Sequence, residues 1–167
     1  TTPRPDETPG MADDLGGSVH EFYTYQGATA LAEKLRTWEG GKLVVHVTEM
    51  PIKCPVAPLE FTFLADAFFT EQGIRDNVDI TYVTPLEGAF TKPVASKYLG
   101  DMLDTRQVHL EPDFMIESID AEGFFPTGDG HYAAVGSQGA SGAERHEAFV
   151  RVATSGSALC LVARLAE

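Results

Sequence analysis

Only two cysteines, Cys54 and Cys160, occur in 167 residues, too few and too far apart for a disulfide framework or a CxxC metal site. The five histidines, His20, His46, His109, His131 and His146, never fall at H-x-x-x-H spacing, so no helix-borne metal pair is expected. Long apolar runs are missing too: nothing approaches the roughly 18 consecutive apolar residues that read as a membrane span. The chain opens with neither a basic n-region nor an apolar h-region, so no signal peptide is read there. Basic residues are scarce. Twelve Lys and Arg stand against 25 Asp and Glu, leaving a net charge of −13, and they gather nowhere, which argues against nucleic acid as a partner.

What is present is enough for a packed domain. The hydrophobic share is 43%, and a chain of this size can bury a core. The opening Thr-Thr-Pro-Arg-Pro-Asp-Glu-Thr-Pro-Gly is rich in turn formers, so residues 1–20 read as a connector with no element before it. From Tyr25 the pattern turns helical. Ala28, Leu31, Ala32 and Leu35 recur at the 3.6-residue period, Lys and Arg occupy the later turns, and Gly40-Gly41 stops the run. Lys42–Thr48 is β-branched and almost continuously apolar, as suits a parallel strand buried on both faces.

A helix is expected from Pro58 to Gln72, with Leu59, Phe63 and Ala67 as one apolar stripe, Leu64 and Phe68 beside it, and Gly73 ending it. A strand over Val78–Thr84, a helix over about 95–104 and a strand opening at Val108 complete a β-α-β-α-β order. Such units pack through right-handed crossovers into a Rossmann-like α/β domain, a parallel sheet flanked by helices. We assign residues 21–120 to it, between the irregular connector and an Ala/Gly/Ser-rich tail, residues 121–167.

The first βα turn carries the chemistry. In a dinucleotide-binding unit this turn is G-x-G-x-x-G, since glycine lets the backbone approach a pyrophosphate at the helix N-terminus. Here it is Pro51-Ile-Lys-Cys-Pro-Val-Ala-Pro58, with no glycine and three prolines. The loop is stiff and short of N–H donors, so NAD(P) is not expected to bind in the usual manner. It offers a thiol instead. Cys54 precedes a helix N-terminus and follows Lys53, and both features bring positive potential to sulfur. By itself, such a cysteine also reads as a small buried hydrophobe. Glu60, in the first helical turn, reads either as a proton donor or acceptor or as a partner of the helix dipole.

The stretch Met50-Pro-Ile-Lys-Cys-Pro-Val-Ala-Pro-Leu-Glu60 and then Gln72-Gly-Ile-Arg-Asp-Asn-Val-Asp-Ile-Thr-Tyr-Val-Thr84 resembles the sulfide:quinone oxidoreductases and their flavocytochrome relatives. These belong to the pyridine nucleotide-disulfide oxidoreductase superfamily of FAD/NAD(P)-binding flavoproteins. In that family a K-C-x-x-A-P loop replaces the NAD-binding turn and holds one of two redox cysteines over the flavin. The resemblance covers residues 1–120. It implies that Cys54 is a sulfur-binding redox cysteine and that Val56, Ala57 and Pro58 form a wall beside the isoalloxazine. It also implies that Thr1, Thr2 and Pro3 pass near FAD, on the way from a flavin domain. Sulfide and a quinone are the implied reactants, with the parent cytoplasmic or peripheral on the cytoplasmic membrane.

The sequence departs from that pattern in three places. The glycine motif that binds FAD is absent, and so is the segment bearing a second redox cysteine. From Ala121 the likeness ends. The tail lacks Lys, Ile and Asn altogether, as a reading-frame change in GC-rich DNA would leave it. Thr127-Gly-Asp129 is similar to the flavin-contacting G-D of these enzymes but stands too early in the chain. Gly136–Gly142 reads as a flexible linker rather than a phosphate loop. Cys160 lies in an apolar run and reads as packing, within a Glu144–Leu165 stretch expected to form a helix or hairpin. The competing functions are a fragment of an NAD(P)H-linked flavin disulfide reductase, or a non-catalytic remnant or interaction domain. The isolated chain is expected to be inactive, because it lacks a turn to hold FAD.

Overall fold

The computed structural model describes residues 12–13, 15–17, 19–48 and 50–114, together with the backbone of 158–163. The elements are β1 (Val19–His20), α1 (Tyr25–Thr37), β2 (Gly41–Val47), α2 (Ala57–Glu71), β3 (Val78–Val83), α3 (Pro93–Thr105), β4 (Val108–Glu111) and β5 (Ala158–Ala163). They form a five-stranded sheet in the order β1-β5-β2-β3-β4, and every pairing in it is parallel. This is the α/β Rossmann-like architecture expected from the periodicity.

β2 is the middle of the sheet. Its register with β3 runs from Gly41 opposite Val78 to His46 opposite Val83. On its other flank it runs from Lys42 opposite Ala158 to Val47 opposite Ala163. Residues 43 to 47 are all buried, as a strand covered on both faces must be, and the hydrophobic run in the sequence reports that directly. His46 shares this interior, its ring edge-on to Phe114 at 5.4 Å. Burial pushes its pKa down to about 3, so the imidazole is neutral at physiological pH.

Two strands join the three that the periodicity predicts. Val19–His20 pairs with β5 through Val19 opposite Cys160 and His20 opposite Leu161, so the end of the expected connector belongs to the sheet. Residues 158–163 are a parallel strand between β1 and β2, where the sequence suggested a helix or hairpin. A six-residue apolar run carries no period with which to tell these apart.

α2 is rotated from its expected stripe. Its buried positions are Pro58, Leu59, Thr62, Ala65, Asp66 and Phe69, whereas Leu64 is 68% exposed, Ala67 is exposed and Phe63 is half-buried. The helix is apolar almost all round, so hydrophobicity does not fix which face turns inward. Polar groups on the inner face take up partners instead. The Thr62 hydroxyl donates to the Pro58 carbonyl at 2.7 Å. Asp66 accepts from Arg75 Nε and from Arg106 Nη1, each at 2.7 Å. Burial would push the Asp66 carboxyl up, but the two guanidiniums outweigh it and hold its pKa below the ordinary carboxylate value. Arg75 also donates to the carbonyls of Val78, Arg106 and Gln107, which ties the amino ends of β3 and β4 to α2.

Candidate functional site

From β2 the chain proceeds to β3 and β4 on one side, while β5, which is reached last, lies on the other. The boundary between β2 and β5 is therefore a topological switch point. In open α/β sheets ligands bind in the crevice outside the carboxyl ends of the strands at such a point. β2 feeds its carboxyl end directly into the proline-rich loop.

That loop is anchored from below and open above. Ile52 is buried, while Lys53 and Pro55 are exposed. Cys54, a free thiol, is half-buried between them. The Cys54 carbonyl accepts the Ala57 N–H at 3.2 Å, and the Val56 carbonyl accepts the Glu60 N–H at 2.9 Å, which turns the chain into α2. Val56 caps the helix in the αR conformation without a side-chain hydrogen bond. Pro58 falls in the first turn, where its missing N–H removes no intrahelical bond.

The loop between β1 and α1 meets the thiol loop at this edge. Glu21 is buried, and its carboxylate accepts the Tyr23 N–H at 2.6 Å and the Thr24 N–H at 3.0 Å. The Thr24 hydroxyl also donates to it. Thr24 in turn caps α1 by accepting the Gly27 N–H at 2.9 Å. Gly27 is required for this closeness, because a Cβ there would lie 1.8 Å from Glu21 Oε1. The carboxylate thus occupies the α1 N-terminus from within.

So fixed, the loop sends Tyr23 to Cys54. The phenolic O–H donates to the Cys54 carbonyl at 3.5 Å, the long end of hydrogen-bond reach. The Tyr23 ring stacks on Phe22 at 4.9 Å and 20°. Phe22 stacks on Phe61 of α2 at 4.9 Å and 11°. Three rings therefore run from the β1–α1 loop to the flank of α2, in the offset arrangement aromatic quadrupoles favour. Burial pushes the Tyr23 phenol up to about 12, and negative charge at Cys54 adds to the effect. Tyr82, buried on β3, is raised by burial and then by Tyr23.

The expected site residues divide as follows. Cys54, Val56 and Ala57 share the switch-point corner and are half-buried. Pro58 is buried in the helix beneath them. Glu60 is exposed in the first turn of α2, at the positive end of the helix dipole. Thr1, Thr2 and Pro3 lie outside the described residues, as do Thr127–Asp129 and Gly136–Gly142. Sequence reasoning missed Glu21, Phe22 and Tyr23. The available signal was an acidic residue three positions before the Thr that opens α1, with two aromatics between them. Among the described residues no group of three or more His, Cys, Asp or Glu could hold a metal ion. Nor is any described helix long and apolar enough to cross a membrane.

A parallel sheet with a βα corner at its switch point defines a Rossmann-type domain, and several oxidoreductases are among the solved structures that share the fold. The sulfide:quinone oxidoreductase of the hyperthermophilic bacterium Aquifex aeolicus matches 87% of this chain with 31% of its own, at a TM-score of 0.57 and 15% identity. The water-forming NADH oxidase of Lactobacillus brevis matches 96% with 27% of its own, at 0.54 and 12%. A ferredoxin reductase from Rhodopseudomonas palustris matches 95% with 31% of its own, at 0.56 and 15%. The chain thus spans 27 to 31% of the length of each. No protein-family model matches the sequence, and no curated protein does.

Proposed function

We propose that this chain is part of a FAD-dependent oxidoreductase that oxidises sulfide with a quinone as acceptor, and that Cys54 takes up the sulfur. The observation that carries the reading is a free, half-buried thiol on a glycine-less βα corner at the switch point of the sheet. That corner is where such folds meet their ligands. The sulfide:quinone oxidoreductase among the structures of like fold agrees with the reading, as does the K-C-P-V-A-P loop.

The corner suits one part of a flavin and not another. The half-buried Val56 and Ala57 offer an apolar wall to a flat ring system. A turn without glycine and with three prolines does not suit a pyrophosphate, which a flavin domain elsewhere in the parent would bind. There the residues before β1 form the connector, with Thr1, Thr2 and Pro3 near the cofactor, and the sheet of β1 to β5 with its helices forms the NAD(P)-binding-like unit. When bound, FAD supplies a two-electron acceptor that passes its electrons to the quinone.

Cys54 does the sulfur chemistry. Hydrosulfide attacks the disulfide that Cys54 shares with a second cysteine of the parent. One S–S bond forms as the other breaks, leaving a persulfide on one cysteine and a thiolate carrying the electron pair on the other. Glu60 is placed to exchange protons with solvent at the mouth of the corner. The parent works dissolved or peripherally on the cytoplasmic membrane, and the isolated chain is inactive.

The test is sulfide-dependent reduction of decylubiquinone by the parent protein, with and without Cys54→Ser. Loss of at least about a hundredfold, the scale of removing one member of a catalytic unit, is expected. Unchanged turnover in the variant overturns the reading. The second reading, an NAD(P)H-linked flavin reductase, is favoured by the NADH oxidase of like fold, and turnover that requires NAD(P)H and ignores sulfide would establish it.

A further inference from the structure

The outward face of α2 is a single row. Glu60, Leu64, Ala67 and Glu71 follow one another at i, i+4, i+7 and i+11, and all four are exposed. Eleven residues make close to three full turns, so the row runs nearly parallel to the helix axis. Leu64, near its middle, is 68% exposed, and the half-buried Phe61 and Phe68 border it. A lone exposed leucine is ordinary. One joined to two aromatic edges makes a continuous apolar patch, the kind that marks an interaction surface. Carboxylates close the patch at both ends, about 16 Å apart at the helical rise per residue.

Those charges decide the occupant. A second copy of the chain would set Glu60 against Glu71 in an antiparallel pair and Glu60 against Glu60 in a parallel one. Like charges meet either way, and each copy carries a net charge of −13. A segment of the chain itself does not fit either. Outside the described residues its basic side chains are Arg4, Arg145, Arg151 and Arg164. No two of these stand eleven residues apart, and β5 lies between the last pair.

We propose that the outward row of α2 is the docking site for an amphipathic helix of another protein, whose apolar seam is bracketed by Lys or Arg residues eleven positions apart. The two helices lie side by side, with the seam over Leu64 and Ala67 and the cations against Glu60 and Glu71. Removing Leu64 and the edges of Phe61 and Phe68 from water supplies the affinity. The exposed ion pairs at the two ends add little strength and fix register and partner choice.

The experiment is fluorescence anisotropy of a labelled synthetic peptide titrated with the full 167-residue chain. The peptide is about 20 residues, long enough to hold a helix, with leucines along its seam and lysines eleven residues apart. Its control carries glutamates at those two positions. The lysine peptide is expected to bind about threefold to tenfold more tightly than the control at low salt, and the gap should close as salt screens the ends. Leu64→Ser, at an exposed position, should weaken the lysine peptide about fivefold to thirtyfold. Glu71→Lys should shift the preference to a peptide with one lysine and one glutamate, a reversal that an apolar contact alone would not produce. Equal binding of the lysine and glutamate peptides overturns the proposal, as does binding that Leu64→Ser leaves unchanged. A dimer of the chain that sedimentation detects and Leu64→Ser dissolves would assign the row to a second copy and overturn it. So would binding that is lost in the complete parent, since the parent's own domains would then fill the row.

Discussion

The two edges of the sheet are built from different materials. At the amino edge, Asp66, Arg75 and Arg106 join α2 to the starts of β3 and β4 through bonds of 2.6 to 3.2 Å. There Gly40 passes so near Asn77 that a Cβ would lie 2.7 Å from its carbonyl oxygen. At the carboxyl edge stand prolines, an aromatic stack, a capped helix start and a thiol. The first edge satisfies its charges with internal partners, which is what stability requires of buried ions. The second leaves the Cys54 thiol half-buried in a turn that Tyr23 contacts. On the proposed reading, stability and chemistry are separated along the strand axis in this domain, so substitutions at the two edges should have different readouts.

Among substitutions, the largest expected effect is at the amino edge. Asp66→Ala leaves two guanidiniums facing each other without their carboxylate, and should cost about 3 kcal/mol, the low end for breaking a buried pair because Arg106 is partly exposed. Cys54→Ser should change stability by less than about 1 kcal/mol, as a conservative swap at a half-buried position. Urea midpoints of the two variants measure the contrast, and equal losses would break it.

Acid should come next. His46 is neutral in the folded state, with its pKa pushed down to about 3 by burial, whereas an unfolded histidine titrates near 6.5. Below about pH 6.5 the unfolded chain binds the extra proton, so stability is complete above that value and falls as the pH drops towards 3. The slope is at most about 1.4 kcal/mol per pH unit. Asp66 adds to the loss only at lower pH, because its folded pKa lies below the ordinary carboxylate value. His46→Phe should flatten the decline between about pH 6.5 and 4, as denaturation at a series of pH values would show.

Smaller effects belong to the carboxyl edge. Gly27→Ala drives a methyl group into Glu21 and should cost about 1–3 kcal/mol through overpacking and a displaced carboxylate. Thr24→Ala loses the α1 cap and should cost about 1 kcal/mol. Both variants should also change the rate of Cys54 alkylation, since Tyr23 hangs from the same loop. An Asp66 variant that stays folded should leave that rate as it is.

How much of this was legible in the sequence follows from the kind of signal each element carries. β2 was legible because a run such as Leu43–Val47 is continuously apolar only when both faces are covered. The turn after it was legible because Pro51, Pro55 and Pro58 stand where glycines would be needed for a pyrophosphate. The facing of α2 was not, since a helix apolar all round has no preferred face in sequence. Its orientation is set by Asp66, whose partners lie 9 and 40 residues away. β1 and β5 were too short to show a period; β1 is a strand because β5 pairs with it, and β5 because β1 and β2 flank it. Glu21 and Tyr23 act across loops, and no local pattern announces a contact between positions 31 residues apart.

The account depends most on Cys54 accepting sulfur while the domain is folded. Exposing the chain to polysulfide and mapping the Cys54 peptide by mass spectrometry tests this directly. Thiolate exchange transfers one sulfur atom to the cysteine and shortens the polysulfide by one. A persulfide on Cys54 in the native chain is the predicted result. A Cys54 that gains no sulfur until the chain is unfolded would contradict the account.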